Sequence, residues 1–127
     1  MDPNEKITIL LADDNDELLQ ILSALLSEMG YRVLRARDGE QAIVTLHETT
    51  VHLVILDLKM PKVDGWDVLV YVKQQLPSVR VVVLTAYGSK ANALRAKEMG
   101  ADELIQKPFD VGELFSKVNR ILNLNST

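Results

Sequence analysis

The stretch VHLVILDLKMPKVDGW, residues 51–66, decides the fold. Its first six residues are apolar apart from His52, and the run ends on a carboxylate, Asp57, with Pro61, Asp64 and Gly65 close behind. A run this apolar reads as a strand covered on both faces, as parallel strands between helix layers are. Such a strand has no use for a charge at its tip, so Asp57 is the first candidate for function. Asp64 and Gly65 lead into a helix over roughly residues 65–75, and Pro77 follows where it no longer breaks that helix.

Outward from this stretch, two kinds of segment alternate. Further strands are expected at KITILLA (6–12), YRVLRA (31–36), VRVVVLT (79–85) and ELIQ (103–106). Between them lie segments with helical spacing. ELLQILSALLSEMG places Leu18, Ile21, Leu22, Leu25, Leu26 and Met29 on one stripe and stops at Gly30, and AKEMGA repeats that ending at Gly100. Asp38 with Gln41, and Asp110 with Glu113, have the spacing of capping boxes at the starts of the second and fifth helices, while Asp14 or Asn15 caps the first. The order is (βα)5 with short connections. An α/β fold follows, a doubly wound parallel sheet of five strands with helices on both faces, flavodoxin-like in strand order 2-1-3-4-5.

The bulk numbers agree. The 127 residues fit one domain, with a core over about 6–123 and a flexible polar tail, NLNST, at the end. The start MDPNEK is initiator-like and favours a true N-terminus. Hydrophobic residues make up 47% and charged residues 25%, which suits a soluble globular chain. The net charge is −4 with Lys and Arg scattered, which argues against direct nucleic-acid binding and favours a cation or a basic partner. With no cysteine, disulfides, thiolate catalysis and cysteine-bound zinc are excluded and a cytoplasmic home is expected. No apolar run approaches the ~18 residues that span a bilayer, so no membrane role is expected.

In this sheet order ligands bind beyond the carboxyl ends of the strands. Those ends carry Asp13 and Asp14 (strand one), Asp57 (strand three), Thr85 (strand four) and Lys107 before Pro108 (strand five). Three nearby carboxylates repel one another unless a cation neutralises them. A hard, oxygen-loving Mg²⁺ suits such a set. A carboxylate beside Mg²⁺ can attack a phosphoryl group and form an aspartyl phosphate, with the metal, a lysine and a hydroxyl stabilising the transferred group.

The segments LLADDN, LDLKMPKVDGW, VLTAYGS and KPF, in this order and spacing, make the chain resemble the receiver domain of two-component response regulators over residues 6 to about 123. The resemblance implies that Asp57 is the phosphoacceptor. It also implies that Asp13, Asp14, Asp57 and the backbone carbonyl of Lys59 hold Mg²⁺, Asp14 directly and Asp13 partly through water. Lys107 then pairs with the phosphoryl oxygens, Thr85 swings toward them, and the bond before Pro108 is cis. Met60, Pro61 and Gly65 become turn and packing residues of the loop. The implied partners are a histidine kinase or histidine phosphotransfer protein and a downstream protein or tethered output domain, met by the surface of helix four, strand five and helix five. The implied state is a monomer or a weak dimer on activation, and the chain acts as a switch rather than an enzyme.

Two departures stand out. Leu104 occupies the place, three residues before Lys107, where such domains commonly carry an aromatic that rotates with the hydroxyl, so the signal is expected to pass through loop and helix-four shifts. Lys59 and Tyr87 stand two residues beyond Asp57 and Thr85, where phosphoryl lifetime is tuned. Two other readings compete. A Mg²⁺-dependent phosphatase of haloacid-dehalogenase type requires Asp-x-Asp, but Lys59 stands where the second Asp belongs. A receiver-like binding module that is never phosphorylated has no need of the full acidic set. Bland roles exist for single residues: Trp66 as partial packing, and His47 and His52 as histidines without metal-ligand spacing, His47 on the solvent side of helix two.

Overall fold

The computed structural model describes residues 7–60, 62–85 and 90–123; MDPNEK, Pro61, Tyr87 and the last four residues lie outside these ranges. The elements are β1 (Thr8–Ala12), α1 (Asp16–Glu28), β2 (Arg32–Ala36), α2 (Gly39–Glu48), β3 (Leu53–Asp57), α3 (Gly65–Gln75), β4 (Arg80–Thr85), α4 (Lys90–Glu98), β5 (Glu103–Gln106) and α5 (Val111–Leu122). The five strands pair in parallel in the order β2-β1-β3-β4-β5, as the alternation predicts. β3 begins two residues later than the apolar run suggests and includes Asp57, because Leu53 is the first residue in register with β1, opposite Ile9.

The period-2 alternation of each strand divides the core into two. Ile9, Leu11, Leu53, Ile55, Val82, Leu84 and Ile105 face α1 and α5. Leu10, Ala12, Val54, Leu56, Val81 and Val83 face α2, α3 and α4. All residues of β1 and β3 are buried, which is why these strands read as continuous apolar runs.

Helix ends follow the sequence closely. After α1, the Tyr31 N–H donates to the Leu26 carbonyl and the Gly30 N–H to Ser27; Ala101 and Gly100 do the same to Ala96 and Lys97 after α4. Gly30 and Gly100 have φ of 97° and 102°, the left-handed conformation this closure requires. Asn15, rather than Asp14, caps α1 by accepting from the Leu18 N–H. Asp38 accepts from Gln41 N–H, but the Gln41 side chain reaches back to the N–H of Arg37, one residue before the cap. Asp110 caps α5 through Gly112 N–H, and Glu113 pairs with Lys117 instead of closing a box.

The inward face of α1 differs from the expected stripe. Leu19, Leu22 and Leu26 are buried, while Ile21 and Met29 are exposed. Leu19, Leu22 and Leu26 stand at i, i+3 and i+7 and define the face that meets the sheet; Ile21 lies on the flank of that row, and Met29 is the C-cap, past the last helical residue. No helix among the described residues is long and apolar enough to cross a membrane.

At the β5 edge, Glu103 gathers three donors: the Leu104 N–H, the Lys117 ammonium and the Arg120 guanidinium. Burial alone would push its carboxyl up, but these bonds and charges outweigh burial and hold it below the ordinary glutamate value of 4.5. A carboxyl whose folded value is lowered adds stability above its unfolded value and loses it as pH falls through the folded one. The stability advantage of wild type over Glu103→Gln is therefore expected to be full at pH 7 and to close below pH 4.5. Urea unfolding of both proteins at several pH values checks this; a gap independent of pH contradicts it.

Candidate functional site

The hydrogen-bond ladder of the sheet continues past the strands and sets the candidate residues in a row. Asp13 N–H donates to the Ala36 carbonyl (3.0 Å), Leu58 N–H to Leu84 (3.2 Å) and Lys107 N–H to Thr85 (2.8 Å). Backbone at one sheet edge thus fixes Asp13, Asp57, Thr85 and Lys107, from four strands. Continuing the alternation, Asp13, Asp57 and Lys107 share the parity of the α1/α5 face, while Thr85 shares that of Val81 and Val83.

The side chains follow that parity. Lys107 Nζ donates to Asp13 Oδ2 at 2.8 Å and Asp57 Oδ2 at 3.2 Å, bridging the two carboxylates. Their other oxygens are also held: Asp13 Oδ1 accepts from Asn15 N–H (2.9 Å) and Asp57 Oδ1 from Lys59 N–H (3.0 Å). Asp13 and Asp57 are 3% and 6% exposed, so both carboxylates are buried beside each other. Burial pushes the Asp57 carboxyl up, the Lys59 N–H opposes it, and the Asp13 charge adds to the rise; despite Lys107, the net direction is upward. For Lys107, burial alone would lower the ammonium, but the bond to Asp13 and the charges of Asp57 and Asp13 raise it above its ordinary value. The peptide bond between Lys107 and Pro108 is cis.

Asp14 is exposed, yet it contributes to the same cluster: Asp13, Asp14 and Asp57 each offer a carboxylate oxygen, and these lie within 4.8 Å of one another. Among the described residues, the one ammonium bonded to these three carboxylates is that of Lys107, which pairs with Asp13 and Asp57, so negative charge is left in excess. Oxygen donors that are hard, anionic and close suit a small divalent ion such as Mg²⁺, which accepts a few carboxylates and fills its remaining positions with water or phosphate oxygens.

Above Asp57 opens a cleft of about 360 Å³ whose walls include Asp57, Lys59, Trp66, Thr85 and Asn92. Thr85 thus lines the same cleft as Asp57, which Lys107 holds through Oδ2. Leu104 is part-buried against the α2/α3/α4 core, and its carbonyl accepts from Lys117 Nζ. Sequence reasoning gave no role to Trp66 and did not single out Asn92. Nothing in the spacing of α4 marks Asn92 as facing Asp57, since a single polar residue on an exposed helix carries no periodic signal. The loop that closes the site rests on Gly65: its N–H donates to the Leu58 carbonyl at 3.0 Å, and a Cβ there would lie 2.2 Å from the Asp57 carbonyl oxygen.

Comparison with known proteins bears on the same residues. The response regulator receiver domain family model matches residues 9–119. The transcriptional regulatory protein CpxR of Klebsiella pneumoniae is 43% identical over 116 residues, 90% of this chain and 48% of that protein. The probable transcriptional regulator ycf27 of Galdieria sulphuraria is 37% identical over 117 residues, 92% of this chain and 46% of that protein. The chain thus spans about half the length of the curated relatives it matches. The solved receiver domain of the Francisella response regulator 1452 aligns with a TM-score of 0.86 at 28% identity, over 96% of this chain and 100% of that one. The family match runs through every strand end just described, and the Asp13, Asp14 and Asp57 cluster corresponds to the Mg²⁺ site of such domains. The chain belongs to the response regulator receiver domain family, whose members are phosphoacceptor switches rather than turnover enzymes.

Proposed function

We propose that Asp57 accepts a phosphoryl group from a histidine kinase or histidine phosphotransfer protein, and that the adduct alters the α4, β5 and α5 surface to control a downstream partner or tethered output domain. The observation that carries this reading is Lys107 spanning Asp13 and Asp57 within an excess of carboxylates. With both oxygens held, by Lys59 N–H and by Lys107, the Asp57 carboxylate has a fixed plane from which to attack phosphorus. An oxygen–phosphorus bond forms as the donor's nitrogen–phosphorus bond breaks, and the imidazole leaves with the electron pair. Lys107 and the Thr85 hydroxyl then meet the phosphoryl oxygens, where fixed donors act most strongly. Asp13, Asp14, Asp57 and the Lys59 carbonyl would hold Mg²⁺, which supplies charge neutralisation to the transferred group.

Residues 6–123 act as one receiver unit in this reading, in the cytoplasm. The similarity to CpxR and ycf27, both named as transcriptional regulators and each about twice the matched length, favours a tethered transcriptional output over a free partner. The direct test is intact mass after incubation with acetyl phosphate, with and without Mg²⁺, for wild type and Asp57→Asn. One added phosphoryl group that needs both Mg²⁺ and Asp57 is the expected result. No adduct under conditions that exclude rapid hydrolysis would overturn it.

A further inference from the structure

Of the five helices described, α4 is the one least committed to the core: Ala96 is its one buried residue, and Leu94 is 62% exposed. Near the site it is held by Arg95, whose guanidinium carbon lies 4.2 Å from the centroid of the Trp66 ring. Arg95 makes no ion pair among the described residues. Trp66, in the first turn of α3, is part-buried against the core and also forms a wall of the cleft at Asp57. From α4, the residue lining that cleft is Asn92. Asn92 and Arg95 are three positions apart and share one helix face, so a guanidinium anchored on Trp66 fixes the rotation of α4 that presents Asn92 to the cleft.

A phosphoryl group brings three strong acceptor oxygens and a charge of roughly −1.5 to −2. Lys107 meets it from the β5 side and Thr85 from β4. The Asn92 carboxamide offers two further donors from the α4 side. We propose that Asn92 contacts the phosphoryl group at Asp57 through its amide, and that Arg95, stacked on Trp66, is the positioning residue that keeps Asn92 there. This inference rests on Asp57 being the phosphoacceptor.

The test measures phosphoryl uptake from acetyl phosphate and Mg²⁺ by intact mass. Asn92 and Arg95 are both exposed, so their substitution leaves the core intact. Asn92→Ala is expected to slow uptake roughly three- to tenfold, the range for losing one ordinary hydrogen bond, because water at this exposed position takes over part of what a bond to a charged group is worth. Arg95→Gln slows it roughly two- to fivefold, the range for an exposed cation–π contact, and Arg95→Lys, which keeps a cation over the ring, recovers most of the loss. The double variant Asn92→Ala/Arg95→Gln is expected to be no slower than Asn92→Ala alone, because Arg95 acts through Asn92. Since Trp66 is the single tryptophan, its emission reads the stack separately: Arg95→Gln raises its quenching by acrylamide and Arg95→Lys does so less. A wild type that gains no Asp57-dependent adduct overturns the phosphoacceptor reading and this inference together. A wild type that gains it while Asn92→Ala keeps pace overturns this inference alone, and additive losses in the double variant overturn the positioning role.

Discussion

Replacing Lys107 with methionine is expected to make the stability of the domain depend on a divalent cation. Without Lys107, Asp13 and Asp57 remain as two buried carboxylates facing each other, with Asp14 alongside. Removing one partner of a buried ion pair costs about 3–5 kcal/mol. Lys107 retains 27% side-chain exposure, so water screens part of this and the lower end applies. For a domain of this size, ~3 kcal/mol corresponds to a fall in melting temperature of roughly 10 °C. Mg²⁺ supplies the missing positive charge, so adding it is expected to restore most of the loss and to raise the melting temperature of Lys107→Met more than that of wild type. The lysine's own contribution does not vary with pH near neutrality. A lysine raised in the fold contributes fully below its ordinary value of 10.5 and loses that contribution only as pH rises through the higher folded value. Phosphoryl uptake, which loses a charged donor to the transferred group, is expected to fall by roughly a hundredfold. Thermal unfolding followed by circular dichroism, with and without Mg²⁺, checks the first expectation; a variant that melts with wild type in the absence of Mg²⁺ shows that the bridge does not hold the carboxylates together.

The legible part of this fold is the part written in strong, repeated signals. β1, β3 and β4 are almost wholly buried, so their sequences are nearly all apolar and the polar residues at their tips stand out; Asp13, Asp57 and Thr85 are visible for that reason. Gly30 and Gly100 were visible because a left-handed closure needs glycine. The side-chain detail was not. Asp38 and Asp110 both cap helices as their spacing suggests, yet neither Gln41 nor Glu113 completes its box, because a long side chain chooses among nearby partners that spacing does not rank. The α1 face differs from the expected stripe at Ile21, which flanks the buried row of Leu19, Leu22 and Leu26, and at Met29, which is the C-cap and lies past the turns that pack on the sheet. The contact between Arg95 and Trp66 joins residues from different elements, and no local pattern encodes it.

Gly65→Ala is the second change with a large expected effect, and it separates the geometry of the loop from the chemistry of the carboxylates. The added methyl group would stand 2.2 Å from the Asp57 carbonyl oxygen and 2.4 Å from the Leu58 Cα. Both atoms are backbone of β3 and its continuation, so neither can turn aside as a side-chain tip would. Either α3 withdraws, breaking the bond from Gly65 N–H to the Leu58 carbonyl, or the chain at Asp57 moves. Overpacking of this kind costs about 3 kcal/mol, again roughly 10 °C in melting temperature. If Asp57 is the phosphoacceptor proposed above, a displacement of about 1 Å there is enough to slow the positioned reaction by roughly a hundredfold. Gly30→Ala is the comparison that isolates this cause. Its Cβ meets nothing within 4 Å, and its penalty comes from a φ of 97° alone, worth about 1 kcal/mol. At the far end of α1, that change is expected to lower the melting temperature slightly and leave phosphoryl uptake at the wild-type rate. If Gly65→Ala behaves as Gly30→Ala does, losing a little stability and no uptake, the close approach of α3 to β3 is not what holds Asp57 in place.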